Sequence, residues 1–351
     1  MTAAGPVTVR RSHGYCRDCG QPGFAADALV GLDGWLTLRA RGMVALAGLS
    51  DPFRKAGPLL EALAGWSVCA ETVRRCCHRA AADARARRGE LDGLPEEFAT
   101  AGGDRELHID AGKVNTPGGW RDVKVAVFAC RERGEPALPE DYEQRDLPGP
   151  GVRCVVAEVE EAQAFGPRCL REARRLGVAA DGSLSVLGDG AEWIWNIAEQ
   201  HFAEATQVLD VYHGVEHLAG AAREAFGPGP AMREWLDKAR QKLIADGYDG
   251  ACRALAEPIA DAEARRRMDG QAAGVLGYLG GQKGRLGYAE RLRRGQAIGS
   301  GLVEGTIKQR VNLRLKRAAA RWLPHHVGPF VEMMALADSP EWPEFWGTLA
   351  A

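Results

Sequence analysis

From about residue 104 the apolar pattern abandons helical periodicity and becomes a series of short, β-rich runs. RELHIDAG, DVKVAVFAC and VRCVVAEV predict three strands, because β-branched residues bounded by turn-forming stretches suit a pleated surface. The second and third are separated by RERGEPALPEDYEQRDLPGPG, rich in Pro, Gly and acids. A helix pattern follows, EEAQAFGPRCLREARRLG, and then SLSVLGDGAEWIWNIAEQHF, where an apolar strand runs directly into a helix. Next come the strand TQVLDVYH and the helix GVEHLAGAAREAF. The order βββαβαβα predicts an α/β unit with a mixed sheet. Asp110, Asp189 and Asp210 stand at its strand ends.

Residues 227–297 read as helices throughout, with no strand signal. They separate the α/β unit from the stretch IGSGLVEGTIKQRVNLRLKRAAARW, Ile298 to Trp322. There a single carboxylate, Glu304, lies just inside the start of a predicted helix whose later turns are basic. At 100° per residue Val303, Ile307, Val311 and Leu315 form an apolar row, and Arg310, Arg314, Arg317 and Arg321 form a second row beside it. From Lys283 to Trp322 there are 11 Lys/Arg against 2 acids, in a chain whose formal net charge is -2. That asymmetry points to a polyanion or a very acidic partner.

Ahead of the sheet, residues 34–88 predict helices, with Asp51-Pro52 as a helix entry, Gly65 as a stop, and Ser67 or Glu71 supporting the next start. A pair of helices joined by a short turn, the second carrying Thr72, Arg74, Arg75 and Arg79, has the pattern of a helix-turn-helix; a plain bundle with a solvated basic face is the alternative. Further upstream, Cys16 and Cys19 in YCRDCG have the spacing of half a zinc site. His13 is a candidate third ligand, but no second CxxC follows, and a degenerate knuckle is the competing reading.

A hydrophobic fraction of 46% with 26% charged residues describes a globular protein and excludes no function class. Nine cysteines, mostly in apolar segments, suit reduced buried thiols better than a disulfide framework. The amino terminus shows no apolar signal core and no run of about 18 apolar residues occurs, so a cytoplasmic location with no membrane contact is expected.

Three carboxylates gathered by a compact sheet raise one another's pKa unless a cation neutralises them. Oxygen-only ligands favour Mg²⁺ or Mn²⁺, and two such ions activate water or a 3'-hydroxyl and stabilise the leaving oxygen of a phosphodiester. Taken singly, each residue has a plainer reading. Asp110 and Asp189 are ordinary strand-end or cap residues, and Glu304 lies near capping-box spacing after Ser300.

The blocks HIDAGKV with GWRDVKVAVF, LGDGAEWIWN, LDVYHGVEHL and YLGGQKGRLGYAERLRRGQAIGSGLVEG, with the later RW, resemble the DDE transposases of bacterial insertion sequences. The resemblance is to the ISKra-type group, related to Mutator-like transposases, and it runs from about residue 10 to 347. It implies an RNase H-like mixed sheet interrupted by an all-helical insertion, behind an amino-terminal helix-turn-helix-like region. It also implies Asp110, Asp189 and Glu304 as a metal-binding catalytic triad for Mg²⁺ or Mn²⁺. Asp210 and His213 are similar to the C/D-x-x-H signature of the superfamily, with His213 either assisting catalysis or supporting the strand-helix junction.

DNA, namely element ends and target, is the expected partner. Its contacts would fall on Lys308, Arg310, Arg314, Lys316, Arg317 and Arg321, with Arg74 and Arg75 from the front, and a homo-oligomer is expected because two element ends must be joined. The tryptophans Trp193, Trp195 and Trp322 are expected to pack rather than to stack on a base. The expected divisions are 1–30, a CxxC knuckle with Cys16 and Cys19 for Zn²⁺; 31–100, helical; 101–226, first part of the core; 227–297, insertion; and 298–351, the Glu304 helix and tail. Where this sequence has Asp110-Ala111-Gly112 the family pattern leads one to expect Asp-Gly. Alternatives are a catalytically silent, transposase-derived DNA-binding protein and a non-transposing RNase H-like nuclease.

Overall fold

The five strand-forming runs join one sheet in the computed structural model, which describes residues 1–20, 22–24, 27, 32–178 and 183–349. The strands are β1 (Asp104–Thr116), β2 (Gly119–Arg131), β3 (Val152–Glu158), β4 (Leu184–Gly188) and β5 (Thr206–Leu209). Their spatial order is β3-β2-β1-β4-β5. β1, β2 and β3 pair antiparallel with one another in sequence, while β4 pairs parallel with β1 and β5 parallel with β4. The protein is therefore a mixed α/β structure built on a mixed sheet.

Alternation along the central strands sends side chains into two cores. Ala126, Phe128 and Cys130 of β2 join Leu107 and Ile109 of β1 in one, whereas Val123, Val125 and Val127 join Val114 in the other. A sheet covered on both faces explains why β2 reads as an unbroken apolar run. Five of the nine cysteines are buried, and all nine are free thiols.

Helices α1 (Leu38–Ser50), α2 (Phe53–Ala64) and α3 (Ala70–Ala86) cover the second face, preceded by two ribbons of two-residue strands. Thr37 caps α1 through its hydroxyl, and Gly65 closes α2. Ser67 is not the cap of α3. Cys69 occupies that position and makes no side-chain cap bond, while Glu71 lies in the first turn. Helix α4 (Gly93–Thr100) leads into β1. Arg85 of α3 ties these helices to the sheet, donating to Glu158 and to the Ala157 carbonyl of β3, and to Glu332 at 2.8 Å.

The first face is covered by α5 (Ala162–Arg175), α6 (Glu192–His201) and α7 (Val211–Phe226). Residues 227–297 then supply α8 (Pro230–Ala256), kinked at Gly247, α9 (Ala262–Gly281) and α10 (Tyr288–Arg293), with no strand among the described residues. No helix among the described residues is long and apolar enough to cross a membrane.

The single helix expected over 298–322 is two pieces and ends early. An α-helical α11 (Gly301–Thr306) passes into a π-helix, Ile307–Leu315, and the chain leaves helical geometry at Lys316. Ala319, at φ 60°, takes the left-handed conformation that opposes continuation. Helices α12 (Pro324–Leu336) and α13 (Glu341–Thr348) complete the second core.

Candidate functional site

Register places the first two acids. β4 pairs with β1 only from Arg105 to Ile109, where Ile109 faces Gly188. Asp189 follows the end of β4, whereas Asp110, expected at a strand end, lies midway along β1, paired with Val125; the two stand side by side where β4 leaves β1. Beyond Ile109 β4 no longer pairs with β1, and the helix bearing Glu304 and its continuation pack against β1 there. The approach is close: a Cβ on Gly112 would lie 3.0 Å from Ile307 and 3.2 Å from Val311. The Ala111-Gly112 pair that departs from the expected pattern thus places its small residue where the helix packs most closely on β1.

Asp210 anchors the entry of the helix that bears the third carboxylate. It is fully buried; its Oδ1 accepts the amides of Tyr212 at 2.7 Å and His213 at 3.3 Å, capping α7, while its Oδ2 accepts the amide of Ser300. The Val211 amide donates to the Ile298 carbonyl at 3.0 Å. One side chain therefore joins the end of β5 to the entry of α11. Because the Ser300 amide is taken by Asp210, Glu304 does not close a capping box; it accepts the Ser300 hydroxyl at 3.2 Å instead. Ser300 makes no side-chain cap bond.

The acids converge electrostatically. Asp110 is pushed up to about 6, first by burial and then by the Asp189 and Glu304 carboxylates, against the Ala111 amide and His213. Each carboxylate has one oxygen committed: Asp110 to the Ala111 amide at 2.6 Å, Asp189 to the Ala191 amide at 2.9 Å, and Glu304 to Ser300. Among the described residues, the second oxygen of each makes no hydrogen bond. Hard oxygen donors of like charge around a half-buried carboxylate match the donor chemistry of a divalent cation. As placed, however, no group of three or more His, Cys, Asp or Glu among the described residues stands close enough to hold a metal ion. The acids share an electrostatic field without forming a closed ligand shell.

His213 stands in the first turn of α7 with its Nδ1 3.3 Å from Glu216, and its Nε2 makes no hydrogen bond among the described residues. Two residues that sequence reasoning missed hold the Asp189 turn from α9. The Tyr278 hydroxyl donates to the Asp189 carbonyl at 3.0 Å, and the Gln282 amide donates to the Gly190 carbonyl at 3.3 Å. Tyr278 also stacks on His217, ring centroids 3.7 Å apart. Gly190, at φ 97°, leaves no room for a Cβ, which would fall 2.3 Å from the Tyr278 hydroxyl.

The cationic row divides. Arg310 is buried and pairs with Asp338 at 2.9 Å. Arg314 is buried, donates to the carbonyls of Leu49 and Gly48 at 3.0 and 2.6 Å, and lies over the rings of Phe53 and Phe330 at 4.9 Å. The expectation that these two face a phosphate backbone is corrected accordingly. A stripe about 100° wide is buried on a packed helix, and positions 310 and 314 belong to it together with Val303, Ile307, Val311 and Leu315. Lys308, Lys316, Arg317 and Arg321 are exposed. In α3, Arg74 pairs with Glu71 at 2.6 Å and the exposed Arg75 lies 3.6 Å from it.

Trp195 and Trp322 are buried, and Trp193 packs against the first core under Lys124. Cys16 and Cys19 occupy an exposed turn in which the Gly20 amide donates to the Cys16 carbonyl at 2.9 Å, while His13 packs edge-on against Tyr15 and Phe24. No protein-family model matches the sequence, and no curated protein matches it either.

Proposed function

We propose that the chain is a divalent-cation-dependent DNA transposase with an RNase H-like core, cutting phosphodiester bonds at the ends of its element and joining them to target DNA. The observation that carries this reading is the meeting of Asp110, Asp189 and Glu304 in one field, from the middle of β1, the end of the adjacent β4 and a helix separated from them by the helical block 227–297. The sheet order β3-β2-β1-β4-β5, with three antiparallel strands followed by two parallel ones, supports the RNase H-like assignment.

In this reading Asp110, Asp189 and Glu304 would hold Mg²⁺ or Mn²⁺ through their uncommitted oxygens. The bound cation supplies a lowered pKa for the attacking water or hydroxyl and charge stabilisation for the leaving oxygen. The chain's own residues do the positioning. Asp210 anchors the entry of the Glu304 helix at the end of β5, Tyr278 and Gln282 hold the Asp189 turn, and His213, oriented by Glu216, holds or passes a proton at Nε2. Exposed Lys308, Lys316, Arg317 and Arg321 contribute the ionic grip on DNA.

The test is strand cleavage of a duplex carrying the inverted repeats that flank the gene, with Mg²⁺ or Mn²⁺. Asp189→Asn is expected to lower the rate by about 10³-fold or more, as loss of a group stabilising transition-state charge does. Cleavage at the wild-type rate in Asp189→Asn would overturn the assignment.

A further inference from the structure

Away from the carboxylates, two segments distant in sequence enclose a cleft of about 400 Å³. Arg54 and Arg74 come from α2 and α3, Arg317 and Arg321 from the turn after the π-helix, and the buried Arg314 lies beneath. Among the described residues the lining contains five arginines and two histidines and no carboxylate. Arg54, Arg317 and Arg321 make no ion pair or side-chain hydrogen bond among the described residues; Arg74 alone of the outer four is paired, to Glu71. His78 stacks on His326 with centroids 3.9 Å apart, and its buried Nε2 has no hydrogen-bond partner among the described residues.

Five arginines gathered on one concave surface, with no carboxylate among its described lining residues, make a local positive potential that favours an anion. The wall is rigid: the Trp322 amide donates to the Asn115 carbonyl at 2.9 Å, and the Asn115 side chain donates to the Ala320 carbonyl at 3.3 Å. Asn115 belongs to β1, five residues beyond Asp110. At about 3.4 Å per strand residue the cleft lies roughly 17 Å along β1 from the carboxylates. That is roughly five base-pair rises of a duplex.

We propose that this cleft grips the sugar-phosphate backbone of duplex DNA about five base pairs from the phosphate held at the carboxylates. The contact would be ionic and sequence-independent, made jointly by the amino-terminal helices and the turn Lys316–Leu323. It rests on the DNA reading above, and extends it by assigning Arg54 and by joining Arg74 to Arg317 and Arg321 in one subsite.

The experiment measures binding of the full chain to a labelled 30-base-pair duplex (about three helical turns) by fluorescence anisotropy in EDTA, across a salt series. EDTA separates binding from cleavage. Arg317→Ala/Arg321→Ala is expected to weaken binding about tenfold or more and to flatten the log affinity against log salt slope by about 2. Lysine at both positions should restore most of the slope, and Lys238→Ala, on the remote surface of α8, should leave binding unchanged. Far-UV circular dichroism and unfolding midpoints equal to wild type show that the variants fold. Wild-type binding with an unaltered slope in the double alanine variant overturns the cleft and leaves the transposase reading standing. Failure of the wild-type chain to bind any duplex at low salt overturns both.

Discussion

Glu106 and Asp110 lie four residues apart on one face of β1, and the fold treats the two carboxylates in opposite ways. Glu106 is buried and answered: His108 Nε2 is 2.9 Å away and the Arg131 guanidinium donates from 3.0 Å. Burial alone would raise its pKa, but these two partners more than reverse that and hold it below the ordinary carboxylate range. Asp110 has a single backbone amide and faces two more carboxylates, and it is raised to about 6. Glu106 is answered by Arg131 and His108, whereas Asp110 stands among other carboxylates, and that environment makes it the candidate functional group of the two.

Removing the partner of the first carboxylate gives the largest expected effect. Arg131→Met leaves Glu106 buried with only His108, and loss of one member of a buried pair costs about 3–5 kcal/mol. Urea unfolding should show that loss, whereas Asp110→Asn should cost nothing. A loss below about 1 kcal/mol for Arg131→Met would mean that the two sites do not differ in kind.

The second effect is pH-dependent and opposite in sign. The folded chain holds the Asp110 proton more tightly than the unfolded chain does. That contribution is complete below about pH 4 and disappears as pH rises through about 6. In EDTA, Asp110→Asn should therefore match wild type near pH 4 and exceed it by about 2–3 kcal/mol near pH 7. Mn²⁺ at pH 7 should raise the thermal midpoint of wild type and not of Asp110→Asn. A pH-independent difference would show that Asp110 is an ordinary strand residue.

The strand-bearing half of this contrast was legible in part before any coordinates. The apolar run before Asp189 does announce a strand terminus, since β4 ends at Gly188, but the run before Asp110 does not, since β1 continues to Thr116. The pairing itself was not legible, nor was the length of β1, because residues 113–116 lack the apolar density of the strand core and are held by the hairpin to β2. Arg310 and Arg314 were misread for a geometric reason: a single row of apolar residues was taken as the whole buried face, whereas α11 and its π-helical continuation are covered by β1 on one side and by α1 and α12 on the other. Asp210 was seen as a motif residue, but its structural task depends on Ser300, 90 positions away. Tyr278 and Gln282 carry no local signature at all; they matter only once α9 lies over the Asp189 turn.

That dependence on α9 supplies the smallest expected effect and refines the comparison. Glu106 is held by charges on its own hairpin, whereas the backbone of Asp189 is held by a helix from another part of the chain. Tyr278→Phe deletes one hydroxyl-to-carbonyl bond and keeps the stack on His217, so global stability should fall by only about 1 kcal/mol. Hydrogen exchange should be more revealing. The amide of Ala191, bonded to Asp189 Oδ1, should lose protection in Tyr278→Phe while amides of β1 around Glu106 keep theirs, since a held turn opens locally without the sheet opening. Equal loss at both places would mean that α9 supports the sheet as a whole. Loss confined to Ala191 would mean that the helical block exists, at least in part, to hold one carboxylate in place.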